Sequence, residues 1–158
     1  MDDFRATADR VAIEALRAEF TDAAMMRDYE RLVSLFTPDA VWGIPEGGIE
    51  AVGRDALLRW FRGVPDKLEF FVQSTHPGVI RLDGDTATGR AYMHELIRQK
   101  DGAAHQNFAI YHDRYARTGG GWRFAERLYE IRYLDTTPLA GSPTHPLSVP
   151  ASSPYAEG

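Results

Sequence analysis

Residues 105–134, HQNFAIYHDRYARTGGGWRFAERLYEIRYL, decide the fold. They form two long stretches rich in β-branched and aromatic residues, and the glycines at 119–121 between them are typical of a tight hairpin link. Two similar stretches precede them along the chain. Because every link is short, the segments predict an antiparallel meander of long strands. The four predicted strands cover residues 68–82, 86–98, 105–118 and 122–134.

Helical patterns occupy the first part of the chain. In residues 7–26, Val11, Leu16 and Phe20 recur at helical spacing, and Arg17 is assigned to the opposite, polar face. Two shorter helices are predicted, with a small β-hairpin between them, and a kink is expected at Pro77-Gly78 in the first long strand. The shorter helices cover residues 29–36 and 56–62, and the hairpin covers 40–44 and 49–52. Helices followed by long strands predict an α+β fold, a cone-shaped curved antiparallel sheet closed by the N-terminal helices.

Composition narrows the class of protein. A chain of 158 residues with 44% hydrophobic and 26% charged residues is the size and composition of one globular domain. We assign that domain to residues 1–137 and a Pro-rich tail to residues 138–158. The net charge of -5, with both signs interspersed, offers no surface for nucleic acid or an anionic membrane.

The lack of cysteine and the acidic N-terminal residues are typical of an intracellular protein. The chain has no cysteine, which excludes disulfides, thiolate metal sites and a cysteine nucleophile. The acidic N-terminus, Met1-Asp2-Asp3-Phe4, predicts neither a signal peptide nor a membrane span. We therefore expect a soluble, cytoplasmic protein.

The order of elements resembles the SnoaL-like (nuclear-transport-factor-2-like, cystatin-like) superfamily, which includes polyketide cyclases, scytalone dehydratase and hexachlorocyclohexane dehydrochlorinase. The strings that carry the resemblance are Val11-Ala12-Ile13, LVSLFTPDAVW at 32–42, His76, DGDTATG at 83–89, and YHDRYARTGGGWRFAER at 111–127. The resemblance implies a cone-shaped α+β barrel with a small-molecule cavity, no cofactor, and an Asp-His dyad in many members.

The dyad positions are only partly filled in this chain. By the resemblance, His76 occupies the histidine position, and imidazole exchanges protons near neutral pH. The partner aspartate position aligns with Met25, while Asp28, one helical turn further on, matches a turn aspartate of many relatives. We predict His76 as the leading catalytic residue with Asp28 in support, the alternative being a structural or solvated histidine on a strand.

Alternation along residues 86–98 gives a second acid-base candidate. It places Glu95 on the same face as Met93 and Ile97, which we take to be the concave face. A carboxylate among apolar neighbours is suited to general acid or base catalysis. The alternative is a carboxylate at the cone mouth that pairs with an arginine.

Substrate-binding residues are predicted from the strand faces, the resemblance and the aromatic content. Asn107, Tyr111 and Asp113 share one face of their strand, which the resemblance implies is the inner one. Tyr111 either orients a ligand or is a core aromatic, and Asp113 either binds or pairs with a helix residue. The resemblance also implies that Arg127 points inward, where it either anchors an oxyanion or forms an ion pair with Glu95 or Asp113. The full predicted set is Met25, Trp42, Trp60, Phe71, Met93, Asn107, Tyr111, Asp113 and Arg127.

No metal site is predicted. His105 and His112 are too far apart on one strand to share an ion, and the adjacent His112 and Asp113 face opposite ways.

Two functions fit these observations. The first is a cofactor-independent lyase, isomerase or cyclase with dehydratase-type acid-base chemistry on a small, largely apolar, possibly polycyclic metabolite. The second is a non-catalytic binding or assembly module of the same fold, because the fold alone does not determine function. Under either, outward residues Tyr92, His94 and Leu96 predict a homo-oligomer, dimer or trimer.

Overall fold

A computed structural model describes residues 2–142. It has three helices and seven strands, with single 3-10 turns at Pro45–Gly47 and Pro65–Lys67. The helices are α1 (Asp2–Met25), α2 (Tyr29–Ser34) and α3 (Arg54–Gly63). The strands are β1 (Phe36–Ile44), β2 (Ile49–Val52), β3 (Leu68–His76), β4 (Ile80–Asp83), β5 (Thr86–Gln99), β6 (Ala104–Thr118) and β7 (Gly121–Asp135). Most of the predicted tail, residues 143–158, lies outside the described residues.

All seven strands form one open sheet in the order β2-β1-β7-β6-β5-β3, with β4 also paired to β5. The predicted antiparallel meander is confirmed from β3 through β7. The prediction did not include the parallel pairing of β1 with β7, in which Trp42 lies beside Arg127. The meander leaves one edge of β7 unpaired, and β1 fills that edge. The α+β fold is as expected, with a curved sheet that remains unclosed between β2 and β3.

Helix α1 packs its apolar stripe across the concave face of the sheet. Ile13, Leu16 and Phe20 are buried, as helical spacing requires. Two assignments on this helix were wrong: Val11 is 63% exposed, whereas Arg17 is 1% exposed and lies in the buried stripe. No helix in residues 2–142 is long and apolar enough to cross a membrane.

The predicted kink at Pro77-Gly78 divides one long strand into two. β3 ends at His76 and β4 begins at Ile80, and both pair with β5. A Cβ atom at Gly78 would collide with the Arg90 carbonyl, so only glycine allows the chain to pass β5 at this distance. The break curls this end of the sheet toward α1.

Candidate functional site

The concave face and the three helices enclose a cavity of about 310 Å³. Its walls are mainly aromatic and aliphatic, which suits a small, flat, apolar ligand. Trp42 and Trp60 form one wall, with ring centroids 5.8 Å apart. The lining residues are Phe20, Ala24, Arg27, Tyr29, Leu32, Trp42, Ile44, Trp60, Phe61, Val64, Pro65, Leu68, Phe71, Gln73, Glu95, Ile97, His105, Asn107, Tyr111, Tyr129 and Ile131.

Glu95 is the carboxylate of this cavity and is only 6% exposed. Gln73 Nε2 donates to Oε1 at 2.6 Å, and the Tyr129 hydroxyl donates to Oε2 at 2.5 Å. Asn107 Nδ2 lies 3.5 Å from the same Oε2. Among residues 2–142, no lysine, arginine or histidine nitrogen lies within 4.0 Å of Glu95. Neutral donors alone hold this buried acid, so the predicted alternative of an arginine partner is wrong.

The two tyrosines beside Glu95 keep their protons. Burial raises the pKa of Tyr129, and the negative charge of Glu95 raises it further. Burial also raises the pKa of Tyr111, although the positive charge of Arg127 opposes this. Both hydroxyls are therefore neutral, and the Tyr129 hydroxyl donates to one oxygen of Glu95 and fixes it.

Gln73 is held in one orientation by contacts on both sides of its amide. The Thr21 hydroxyl donates to Gln73 Oε1 at 3.1 Å, so the amide nitrogen must point at Glu95. On the backbone side, Gln73 N donates to the Met25 sulfur at 3.2 Å. The position opposite Met25 is therefore occupied by Gln73 on β3, not by His76.

Two polar atoms of cavity-lining residues have no partner within the described chain. They are Trp42 Nε1 and Asn107 Oδ1, both buried. Buried polar atoms without a hydrogen bond are rare in native proteins, because each costs about 1 to 3 kcal/mol. The Trp42 indole is directed toward the Tyr111 hydroxyl, which it influences as a donor, whereas Asn107 Oδ1 is a buried acceptor that a water molecule or a ligand donor could satisfy.

A second buried polar cluster lies beneath the cavity floor. Arg127 Nε and Nη2 donate to the two oxygens of Asp113 at 2.8 and 3.0 Å. The Tyr115 hydroxyl donates to Asp113 Oδ2 at 2.6 Å and accepts from Arg17 Nε at 2.8 Å. Arg17 also donates to Glu14 at 3.0 Å. Two arginines and two carboxylates thus neutralise one another.

Aromatic rings separate this second cluster from the cavity. The Arg127 guanidinium lies 4.0 Å from the centroid of Tyr111 and 4.4 Å from that of Phe20, and both rings line the cavity above it. Of the two roles predicted for Arg127, the structure shows the ion pair, with Asp113 as its partner. Asp113 also lies 4.0 Å from Arg17 of helix α1, which is the predicted pairing with a helix residue. Neither Arg127 nor Asp113 reaches the cavity lining.

The structure divides the predicted site residues into two groups. Glu95, Trp42, Trp60, Phe71, Asn107 and Tyr111 line the cavity together. His76, Asp28, Met25, Met93, Asp113 and Arg127 do not line it. Met25 and Met93 lie just behind the wall, through their contacts with Gln73 and Thr75.

The structure does not place His76 and Asp28 with Glu95. His76 is exposed at the end of β3, opposite Tyr92 on the outward face of the sheet. Asp28 is the N-cap of α2, where its carboxylate accepts from the backbone N of Arg31 at 3.1 Å. The predicted grouping of His76, Asp28 and Glu95 in one cavity is therefore wrong, because strand alternation and helix capping direct the first two elsewhere.

Sequence reasoning missed several lining residues: Gln73, Tyr129, His105 and Arg27. Gln73 follows from strand alternation, since it lies two residues from Phe71, which was assigned inward. Tyr129 faces inward beside Tyr111, its partner in the β6–β7 register. No local sequence signal indicated Arg27.

Comparison with known proteins places this geometry in a family. The SnoaL-like domain matches residues 5–128. The crystal structure of LinA superposes with a TM-score of 0.81 and 27% identity, over 92% of this chain and 99% of LinA. Hexachlorocyclohexane dehydrochlorinase LinA-type3 from Novosphingobium barchaimii LL02 gives a TM-score of 0.79 at 25% identity, over 91% and 99% of the two chains.

A relative of similar length is known from sequence. Protein Rv2910c of Mycobacterium tuberculosis (strain ATCC 25618 / H37Rv), which is uncharacterized, is 28% identical over 125 residues, 77% of this chain and 84% of the relative. The match to the SnoaL-like domain extends from α1 into β7. This chain belongs to the SnoaL-like family, as the resemblance predicted.

Proposed function

We propose that the protein is a cofactor-independent lyase or isomerase of the dehydratase type, with Glu95 as its acid-base group, acting on a small, largely apolar metabolite. The observation that carries this proposal is a buried carboxylate that faces an aromatic cavity without a cationic partner in residues 2–142. An ionised group is costly to bury, so such a placement is typical of groups that exchange protons with a ligand.

The reaction proposed is an elimination. The Glu95 carboxylate removes a proton from a carbon, the electrons of that C–H bond form a double bond, and a hydroxyl or halide departs from the neighbouring carbon. When the leaving group is hydroxyl, the proton on Glu95 passes to the departing oxygen and water is released. Tyr129 and Gln73 keep the carboxylate in position throughout, through the hydrogen bonds described above.

The relatives support an elimination at family level. LinA-type3, 25% identical to this chain, is a hexachlorocyclohexane dehydrochlorinase. Loss of hydrogen chloride from carbon requires proton removal next to a leaving group, which is the step proposed for Glu95. We propose the same class of step here, with a different substrate and with the base on β5.

A second candidate function is ligand binding without catalysis. It is favoured by Met25, which stands where the resemblance places the dyad aspartate, and by its neighbour on β3, Gln73, whose backbone N donates to the Met25 sulfur. Neither side chain can take or give a proton near neutral pH. Under this second proposal, Glu95 serves recognition only. Turnover measurements separate the two candidates.

The test is turnover on a panel of halogenated cyclohexanes and bicyclic β-hydroxy ketones, followed by halide release and by absorbance of the new double bond. We expect Glu95→Gln to lower kcat by about 100-fold or more, the usual contribution of a general base. Glu50→Gln, which removes an exposed acid on β2, is the matched control. His76→Ala should stay within about twofold of the wild type, because His76 lies outside the cavity.

Each outcome is informative. Full activity of Glu95→Gln would reject Glu95 as the base. If no member of the panel turns over although the wild type binds it, the binding function is favoured over catalysis.

We also propose that the outward face of the sheet joins copies of this chain. Tyr92, Phe108 and Tyr133 are 42%, 46% and 56% exposed and lie on neighbouring strands of that face. The His94 ring stacks on Phe108 with centroids 4.4 Å apart, so this part of the surface is ordered in advance. Sedimentation velocity of the wild type should show a dimer or trimer. The double variant Phe108→Ser, Tyr133→Ser should sediment as a monomer. A wild-type monomer would reject the proposal.

A further inference from the structure

Arg27 is a cation at the mouth of the cavity. It follows the end of α1, it is half-buried, and it lines the cavity. Its backbone has φ 56°, which is uncommon outside glycine and is found disproportionately at functional sites. The turn is fixed by backbone hydrogen bonds from Arg27 N to Ala24 O at 3.3 Å and from Asp28 N to Ala23 O at 2.9 Å. These bonds fix the backbone from which the Arg27 side chain reaches the cavity.

Arg27 has no carboxylate partner within 4.0 Å in the described chain, although acids are close in sequence. Those acids are held by Arg31 instead. The Arg31 guanidinium contacts Glu19 at 2.8 Å and Asp28 at 3.1 Å, and it also pairs with Asp22. Gathering three acids around one arginine leaves the charge of Arg27 available to a ligand.

Arg27 and Glu95 both line the cavity and differ in burial. Glu95 is only 6% exposed and hydrogen-bonded within the protein, whereas Arg27 is half-buried and lies nearer to solvent. A ligand anion would be repelled and poorly solvated beside Glu95 but attracted at Arg27. The cavity therefore has a polarity that orients an amphipathic ligand.

We propose that the ligand is an amphipathic organic acid whose carboxylate binds Arg27 at the mouth and whose flat apolar body lies between the aromatic walls, with the reacting carbon toward Glu95. A single guanidinium matches one carboxylate with two parallel hydrogen bonds. The proposal names the substrate class of the site described above and therefore rests on the proposed function using this cavity.

The test is binding, measured by isothermal titration calorimetry at neutral pH with two probes, naphthylacetate and naphthylacetamide. The probes share ring and length and differ in charge. We expect wild-type protein to bind the acid at least about tenfold more tightly than the amide, and Arg27→Gln to remove this preference. Arg27→Lys should keep part of it. Arg59→Gln, which removes an exposed arginine of α3 outside the cavity, is the matched control.

Three results would overturn the inference: equal binding of both probes to the wild type, a preference that survives Arg27→Gln, or no binding of the acid. Its failure is distinguishable from failure of the proposed function, because binding does not require turnover. If Glu95→Gln abolishes elimination but Arg27→Gln does not alter the preference, only the substrate class is rejected. If the preference depends on Arg27 but nothing turns over, the inference holds for a binding protein.

Discussion

Two buried polar clusters lie on the same concave face of this sheet, and they differ in how their charges are satisfied. In the cluster beneath the cavity floor, Arg127, Asp113 and Arg17 form ion pairs and Glu14 completes the balance. In the cluster that opens to the cavity, Glu95 has hydrogen bonds from neutral groups alone. The first cluster is complete within the protein, whereas the second has an unbalanced charge where a ligand would lie.

This difference separates structure from function. A buried charge pair that satisfies itself contributes to a unique packing and has nothing left to offer a ligand. A buried carboxylate that lacks a counter-charge weakens the fold and is retained where chemistry needs it. Mutations in the Arg127–Asp113 cluster should therefore mainly lower stability, whereas mutations of Glu95 should mainly lower activity.

The largest stability effect is expected from Arg127→Leu. It removes the two hydrogen bonds and the nearer cation of the fully buried Asp113 carboxylate and leaves only Arg17, 4.0 Å away. Breaking a buried ion pair typically costs about 3 to 5 kcal/mol of unfolding free energy. Urea denaturation at neutral pH measures the change. Arg132→Leu, which removes an exposed arginine paired with Glu130, should cost less than about 1 kcal/mol. Similar costs for the two variants would show that the buried pair has no special role.

A smaller effect is expected from Gln73→Leu, which tests the neutral support of Glu95. The change removes the donor to Glu95 Oε1, while the Thr21 hydroxyl loses one acceptor and keeps its hydrogen bond with the Thr75 hydroxyl. An unsatisfied buried carboxylate oxygen costs about 1 to 3 kcal/mol of unfolding free energy. Ser74→Ala, on the outward face of the same strand, is the control. A Gln73→Leu protein as stable as the control would mean that Glu95 does not depend on this amide.

The smallest effect on unfolding free energy is expected at the partly exposed ion pair between Asp9 and Arg117. Arg117 donates to both oxygens of Asp9 at 2.8 and 2.7 Å, and Trp122 Nε1 donates to Asp9 at 3.0 Å. The hydrogen bond from Arg117, followed by that from Trp122, lowers the pKa of Asp9 from 3.8 to about 2. Because the folded-state pKa is depressed, this stabilisation is present above about pH 4 and is lost as the pH falls toward 2.

Asp9→Asn should therefore reduce the unfolding free energy at pH 7 by no more than about 1 kcal/mol, after allowance for solvent screening. The difference from wild type should shrink steadily between about pH 4 and pH 2, over the interval set by the two pKa values. Urea denaturation at a series of pH values measures it. A difference that is constant with pH would contradict the assigned pKa shift.

Most of the fold was predictable because its signals are local. Glycine-rich links between long apolar strands require hairpins, and a Pro-Gly pair within a strand requires a break; both are present. The parallel pairing of β1 with β7 was not predictable in this way, since it joins residues far apart in the chain. Arg17 was misplaced for a related reason. Its helical position belongs to the buried stripe, and only its distant partners Tyr115 and Asp113 make that burial possible.

The candidate site was predictable where strand alternation was applied consistently. Alternation placed Glu95 on the concave face and put Asn107 and Tyr111 on one face, which the resemblance implied was the inner one; all three line the cavity. Applied to β3, the same rule puts Phe71 and Gln73 inward and His76 outward, which is what the structure shows. The position of Arg27 depends on a left-handed residue after α1, and no sequence pattern marks such a residue when it is not glycine.

The central claim is that the Glu95 cluster is built for chemistry at the expense of stability. The most direct test measures kcat and unfolding free energy together for Glu95→Gln, with a panel member that the wild type turns over. The account predicts a fall in kcat of about 100-fold or more, with unfolding free energy within about 1 kcal/mol of wild type. The amide oxygen still accepts from Gln73, and the Tyr129 hydroxyl can turn to accept from the amide nitrogen. Retained turnover with a loss of about 3 kcal/mol or more would contradict it and place Glu95 with the structural cluster.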